Sequence, residues 1–354
     1  MHDPTIDKSI ALLHQLIGTL SLSKQENGTA QLIEAYLVGC GIETQRSLHN
    51  VWAVNQHFDA ALPTYLLNSH HDTVQPNKGY TRDPLLAEVI DGKLYGLGSN
   101  DAGGCLVALI ACFVQFYNEK MPFNLVLACT AEEEISGKNG IASILPLLPP
   151  LAGAIVGEPT ENKAAVAEKG LMVVDCTTKG VAGHAARNEG TNAILLAMED
   201  IQWLQGYHFS RTSPFLGPVK ASTTIIQAGS QHNVVPDQCS FTVDVRLNEK
   251  YSHQDILDIF NEKMHAQCTP RSMRLMPSFL PKEHRIYQAL DHLKVEKFGS
   301  STMSDQALIA APSLKIGPGA SKRSHTADEW VGIQEIVEGY GLYTKIINHL
   351  IELH

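Results

Sequence analysis

The sequence lacks any pair of cysteines at the spacing of a redox or metal motif. Its seven cysteines (Cys40, Cys105, Cys112, Cys129, Cys176, Cys239 and Cys268) are odd in number, scattered, and mostly set in apolar runs. Reduced core thiols in a cytoplasm are expected, rather than disulfides or a cysteine-based metal site. An excess of basic charge is also missing: 27 Lys and Arg stand against 37 Asp and Glu, a formal charge of −10. That balance argues against nucleic acid as a partner. No apolar run approaches the roughly 20 residues that span a bilayer. The N-terminus carries Asp3 and Asp7 early and no small-residue cleavage site, so neither a membrane partner nor a secretory signal is expected.

Several enzyme classes are excluded in the same way. Gly96-x-Gly98 lacks the third glycine of a dinucleotide fingerprint, and no G-x-x-x-x-G-K-[ST] segment occurs. There is no G-x-S-x-G elbow of a serine hydrolase, and no His-Glu dipeptide for a single-zinc protease helix. Internal repeats and low-complexity segments are absent too.

What is present suits a globular protein. The 354 residues are comfortable for two domains, and 44% hydrophobic content supplies a core. Apolar positions at helical spacing predict helices over 5–20 and 28–40, the second ending at Gly41. Short apolar runs at 65–67, 125–129, 152–156 and 314–316 predict buried strands, with an apolar helix at 102–117 opened by Asp101. Mixed buried strands and helices imply an α/β fold, a sheet covered by helices on both faces. The middle of the chain reads strand 171–177, helix 191–204, strands 220–227 and 240–247, helix 253–265 and strand 271–276. That order is the split βαβ of a ferredoxin-like α+β domain, inserted as 169–279 between the parts 1–168 and 280–354 of the larger domain.

The four strand candidates run into His and acidic residues. The first leads to His70-His71-Asp72, the second to Glu132-Glu133-Glu134, the third to Glu158, and the fourth through Gly317-Pro318-Gly319 to His325. Ligands of open α/β sheets bind beyond the carboxyl ends of strands, and His with several carboxylates is ligand chemistry for zinc or manganese. Asp101, after Gly98-Ser99-Asn100, could complete the set. Taken singly each has a plainer use: Asp101 as a helix N-cap, the three glutamates as a solvated run, His70 or His71 as a buried hydrogen-bonding group. Ending four strands this way is harder to explain without a site.

These residues resemble the co-catalytic zinc amidohydrolases that include acetylornithine deacetylase, succinyl-diaminopimelate desuccinylase, aminoacylases and glutamate-releasing carboxypeptidases. The motifs are S-H-H-D-T-V (69–74), G-L-G-S-N-D-A-G-G (96–104), T-A-E-E-E-I-S-G (130–137), G-E-P-T (157–160) and R-S-H-T-A-D-E (323–329). The resemblance implies a mostly parallel catalytic sheet and an inserted lid and dimerisation domain, hence a homodimer. It also implies two divalent ions per chain, zinc foremost, with cobalt or manganese as alternatives. His70 and Glu158 would hold one ion, Glu134 and His325 the other, and Asp101 would bridge them. Asp72 would orient His70, and Glu133 would be the general base. His184 would reach the substrate carbonyl oxygen across the dimer. Asn233, Arg246 and Gly319 would contact substrate, Arg246 through the bidentate match of guanidinium to carboxylate. Two departures stand out: Glu132 where relatives often have aspartate, and Ala102-Gly103-Gly104 where many place a Met-Lys pair before the glycine.

The implied activity is hydrolysis of an N-acyl amino acid, acetylornithine or a relative such as acetylcitrulline or succinylornithine, in arginine biosynthesis. A dipeptidase, a carboxypeptidase or a desuccinylase-like enzyme is the alternative. A metal-free α/β binding protein is the rival outside catalysis.

Overall fold

A computed structural model describes residues 3–187 and 189–354. Their contacts divide the chain into two compact units. The larger comprises 1–166, 279–298 and 304–354, and the smaller 167–278 and 299–303.

In the larger unit, four strands run parallel in the order Asn124–Thr130, Thr64–His70, Leu151–Val156, Ser313–Lys315. Register pairs His70 with Thr130, Asn68 with Val156, and Val156 with Lys315, so their carboxyl ends share one edge. Asn50–Val54 and Gln45–Ser47 extend the sheet antiparallel on one side. The central strands Thr64–His70 and Asn124–Thr130 are buried at every position, as expected where helices cover both faces. One face holds Leu66, Val126, Ala128, Ala154 and Val156 against Ile141 and Ile144 of a short helix. On the sheet also packs the helix Gly104–Phe116, which contacts the helices Pro4–Ile17 and Ile333–Leu353.

The stretch Ser99–Phe116 is long and apolar enough to cross a membrane, with mean hydropathy 1.4 over 18 residues, yet 83% of it is buried. It is a core helix. Its start differs from expectation. Asp101 and Ala102 have non-helical backbone inside a wide turn, Ser99–Gly103, and the regular helix begins at Gly104. Asp101 therefore does not cap the helix; it sits on an irregular turn ahead of it.

The smaller unit carries a four-stranded antiparallel sheet in the order Lys220–Ala228, Gln238–Leu247, Gly170–Lys179, Gln267–Pro270. Helices Ala193–Gly206 and His253–Lys263 complete the β-α-β-β-α-β order. The fourth strand corrects the sequence reading, which placed it at 271–276. The second helix stops at Lys263 because Met264 is extended, and the Asp200 carboxylate accepts the backbone N–H groups of His265 and Ala266 at 2.8 and 2.9 Å. A strand starts at once.

Candidate metal centre

The larger unit gathers His70, Asp72, Asp101, Glu133, Glu134, Glu158 and His325 at the shared strand edge. His70 closes its strand. Glu158 comes two residues after Val156, which ends the strand Leu151–Val156. Two donor sets form, each with ligand atoms within 4.8 Å of one another: His70, Asp101 and Glu158, and Asp101, Glu134 and His325. Asp101 belongs to both. Its Oδ1 lies 3.4 Å from His70 Nε2 and its Oδ2 lies 3.5 Å from His325 Nε2. Glu134 Oε2 lies 2.9 Å from His325 Nε2. Glu133 falls in neither set, although its Oε2 is 3.9 Å from His70 Nε2.

Backbone hydrogen bonds hold this arrangement. His70 Nδ1 meets the Asp72 carbonyl oxygen at 2.9 Å, nearer than the Asp72 carboxylate at 3.4 Å. That bond places the proton on Nδ1 and leaves the Nε2 lone pair facing the carboxylates. Nε2 is buried and has no hydrogen-bond partner among the described residues. The Asp72 carboxylate does something further: it accepts the backbone N–H of Glu133 at 3.1 Å, that of Glu134 at 3.2 Å, and the Ser23 hydroxyl at 2.7 Å. One buried carboxylate thus fixes the loop that carries both glutamates.

The electrostatics are those of crowded negative charge. Burial raises the Glu133 pKa well above its ordinary value, opposed by His70 and reinforced by Glu158, Asp305 and Glu134. Burial lifts Glu134 to about 7, with Asp101 adding to it. For His70 burial disfavours the charged ring, but Glu133, Asp101 and Asp72 outweigh it and push the pKa well up. An orphaned imidazole nitrogen facing buried carboxylates is the donor set that a divalent cation satisfies. The residues fit such an ion. His71, by contrast, is held neutral by burial, its pKa pushed down to about 4, with its ring between the Thr29 hydroxyl and the His49 carbonyl. It serves the core.

The remaining candidates have other surroundings. Gly319 has φ +84, and a Cβ there would collide with the Asn100 side chain, so packing alone demands glycine. His184, Asn233 and Arg246 belong to the smaller unit. His184 lies in a two-residue strand paired with Val234–Val235, and the Ala185 N–H donates to the Asn233 carbonyl at 3.0 Å. Its Nδ1 accepts the Ala186 N–H at 3.2 Å, which leaves Nε2 as the outward donor. The Arg246 fork is already engaged, bound by Nε at 2.8 Å and by a terminal nitrogen at 3.1 Å to the two oxygens of Asp244.

Three buried carboxylates were not singled out from sequence. Glu329 accepts the N–H groups of Gly98, Asn100 and Asp101 at 3.0, 2.8 and 2.9 Å, which builds the turn presenting Asp101. Burial and the neighbouring Asp101 push its pKa up to about 8. Asp305 accepts the Thr130 hydroxyl at 2.7 Å, and burial raises it to about 6. Glu26 bonds His49 at 2.6 Å and accepts the Glu132 N–H at 3.2 Å. Only Glu329 had a sequence signal, since it ends the R-S-H-T-A-D-E motif.

Comparison with known proteins agrees with this geometry. A succinyl-diaminopimelate desuccinylase of Cereibacter sphaeroides is 27% identical, with 96% of this chain and 97% of the relative covered. An acetylornithine deacetylase of Proteus mirabilis is 28% identical, with 96% of each covered. Among solved structures, the Bacillus subtilis YXEP protein, a dinuclear metal binding peptidase from the M20 family, superposes with TM-score 0.71 at 16% identity, covering 98% of this chain and 99% of that one. The sequence profile of Peptidase family M20/M25/M40 matches residues 66–349, which spans every motif from the strand before His70 to the last helix. The chain therefore belongs to peptidase family M20/M25/M40, and it is a metal-dependent amidohydrolase.

Proposed function

We propose that this chain hydrolyses the amide bond of an N-acyl amino acid at a centre of two divalent ions, zinc foremost. The observation that carries the reading is the Asp101 carboxylate, whose two oxygens face different donor sets. His70 and Glu158 would hold one ion, Glu134 and His325 the other, with Asp101 shared. Bound there, the ions supply Lewis-acid polarisation of the scissile carbonyl and lower the pKa of water.

The chain's own groups do the rest. Glu133 lies beside the donor sets without joining them, so its carboxylate is free to take a proton from the attacking water and return it to the leaving amine. Asp72 keeps Glu133 and Glu134 in register through their backbone N–H groups. His184 Nε2 is an outward donor suited to a developing oxyanion.

For substrate we infer acetylornithine or a close relative, acetylcitrulline or succinylornithine, consistent with a cytoplasmic role in arginine biosynthesis. The desuccinylase reading has equal support from the relatives' similarity. We also infer a homodimer through the smaller unit, supported by Ile225 and Ile226, exposed on the edge strand Lys220–Ala228, and by exposed Leu195 and Met198.

The test is metal content per chain before and after chelation, with turnover of acetylornithine, acetylcitrulline, succinylornithine, succinyl-diaminopimelate and a dipeptide panel. About two equivalents of ion, with activity lost on chelation and restored by metal, is expected for a two-ion site. No metal uptake on reconstitution would remove the two-ion centre, and faster dipeptide cleavage would replace the deacylase reading with a peptidase.

A further inference from the structure

The cysteines scattered along the sequence do not stay apart in space. Cys176 and Cys268 stand 92 residues apart in the chain, yet they are register partners on the adjacent antiparallel strands Gly170–Lys179 and Gln267–Pro270. Their sulfurs are 3.5 Å apart. Residues directly opposed in an antiparallel pair have Cα atoms about 4.5 or 5.5 Å apart. Both separations lie within the roughly 4.4–6.8 Å that disulfides span. Linking the sulfurs needs an approach of roughly 1.5 Å, reachable by side-chain rotation without moving either strand.

The two thiols are unequal. Cys176 is fully buried, whereas Cys268 is partly exposed on the outermost strand of the sheet. The turn leading into that strand is pinned by Asp200, which accepts the His265 and Ala266 N–H groups. Cys268 is therefore held opposite its partner while remaining open to small solutes. The hydrogen bond with Cys176 also draws the Cys268 thiol below its ordinary pKa, against the effect of burial, and so favours its thiolate.

We propose that Cys176 and Cys268 form an oxidisable dithiol, converted by a hydroperoxide into an intramolecular disulfide within the smaller unit. The Cys268 thiolate attacks the peroxide oxygen, breaking the O–O bond. It becomes a sulfenic acid, and the departing oxygen takes up a proton and leaves as water or alcohol. The Cys176 sulfur then attacks the sulfenic sulfur, loses its proton, and expels the hydroxyl as water. With hydrogen peroxide, two thiols and one peroxide give one disulfide and two waters; a dithiol reductant reverses the link.

The experiment uses the full reduced chain. It is exposed to hydrogen peroxide under native conditions, then denatured in alkylating reagent, digested and mapped by mass spectrometry. A peptide pair joined through Cys176 and Cys268 is expected, two hydrogens lighter than the reduced pair, with alkylation of both cysteines lost together and restored by dithiothreitol. Cys40→Ser, at the exposed cysteine, should leave the link intact, and Cys268→Ser should abolish it. Should Cys268→Ser fail to fold, the wild-type map decides alone. The proposal is overturned if wild-type Cys268 is recovered alkylated, or as sulfinic acid unlinked to Cys176, at peroxide doses that oxidise Cys40.

Discussion

The two units hold their candidate residues in opposite ways. In the larger one, His70, Asp101 and Glu134 are mostly withdrawn from solvent while His325 is exposed; the Asp101 and Glu134 backbone N–H groups donate to Glu329 and Asp72, and His70 Nδ1 donates to the Asp72 carbonyl. In the smaller one, His184 is exposed on a two-residue strand, and Arg246 is tied to Asp244 two positions away. A metal-binding pole needs rigid donors, because carboxylates crowded this closely repel unless a cation is held among them. A group that meets substrate needs to be reachable instead. The contrast separates a set of metal-ligand candidates in the larger unit from reachable side chains in the smaller one.

The largest expected effect breaks the larger unit's side of that contrast. Glu133→Gln keeps the shape of the side chain and removes the base. Turnover should fall by about 10²–10⁴, while metal content measured on the same preparation stays near that of the wild type. Glu134→Ala should lose both, because Glu134 lies in a donor set and Glu133 does not. Equal metal loss in the two variants would show that Glu133 is a ligand, and the division of labour between neighbours would collapse.

The second effect tests the smaller unit. His184→Ala should lower kcat by about 10²–10³, the usual cost of removing one oxyanion donor. Metal content and thermal midpoint should stay unchanged, since the side chain is exposed and its recorded bond is to the N–H of Ala186. An unchanged kcat would confine the chemistry to the larger unit.

The same contrast explains what was legible in the sequence. Strands Thr64–His70 and Asn124–Thr130 are buried throughout and Leu151–Val156 over its last four residues, runs long enough to read directly, and the residues that follow them inherit their positions from the sheet. His70, Glu134 and Glu158 are read as candidates that way. Asp101 reads as the opening of a helix, whereas it lies on the wide turn before Gly104, which leaves no periodic trace. Asp305 leaves no sequence signal because burial of a lone carboxylate is a tertiary fact that flanking residues do not announce, while Glu329 is marked only as the end of the R-S-H-T-A-D-E motif. In the smaller unit the final strand was displaced for a similar reason. The device that ends the preceding helix is the Asp200 carboxylate, 65 residues earlier in the chain.

The smallest expected effect concerns stability, and it sharpens the contrast because it involves a buried titratable residue of the smaller unit. His253 opens the helix His253–Lys263 and is 2% exposed, and neither ring nitrogen has a hydrogen-bond partner among the described residues. Burial lowers its pKa below the ordinary 6.5, although backbone groups of Met273, Leu171 and Leu275 pull the other way. An unfolded chain therefore takes up this proton at a higher pH than the folded chain does. The stabilising contribution is fully present above pH 6.5 and is lost as pH falls from there through the folded-state pKa. Each tenfold weakening of proton affinity is worth about 1.4 kcal/mol. His253→Leu removes the titration, so the variant should show none of this residue's pH dependence. Between pH 7 and pH 5 the wild type should lose stability relative to the variant in denaturant melts of the full chain. Curves that stay parallel across that window would mean His253 is solvated in the folded protein.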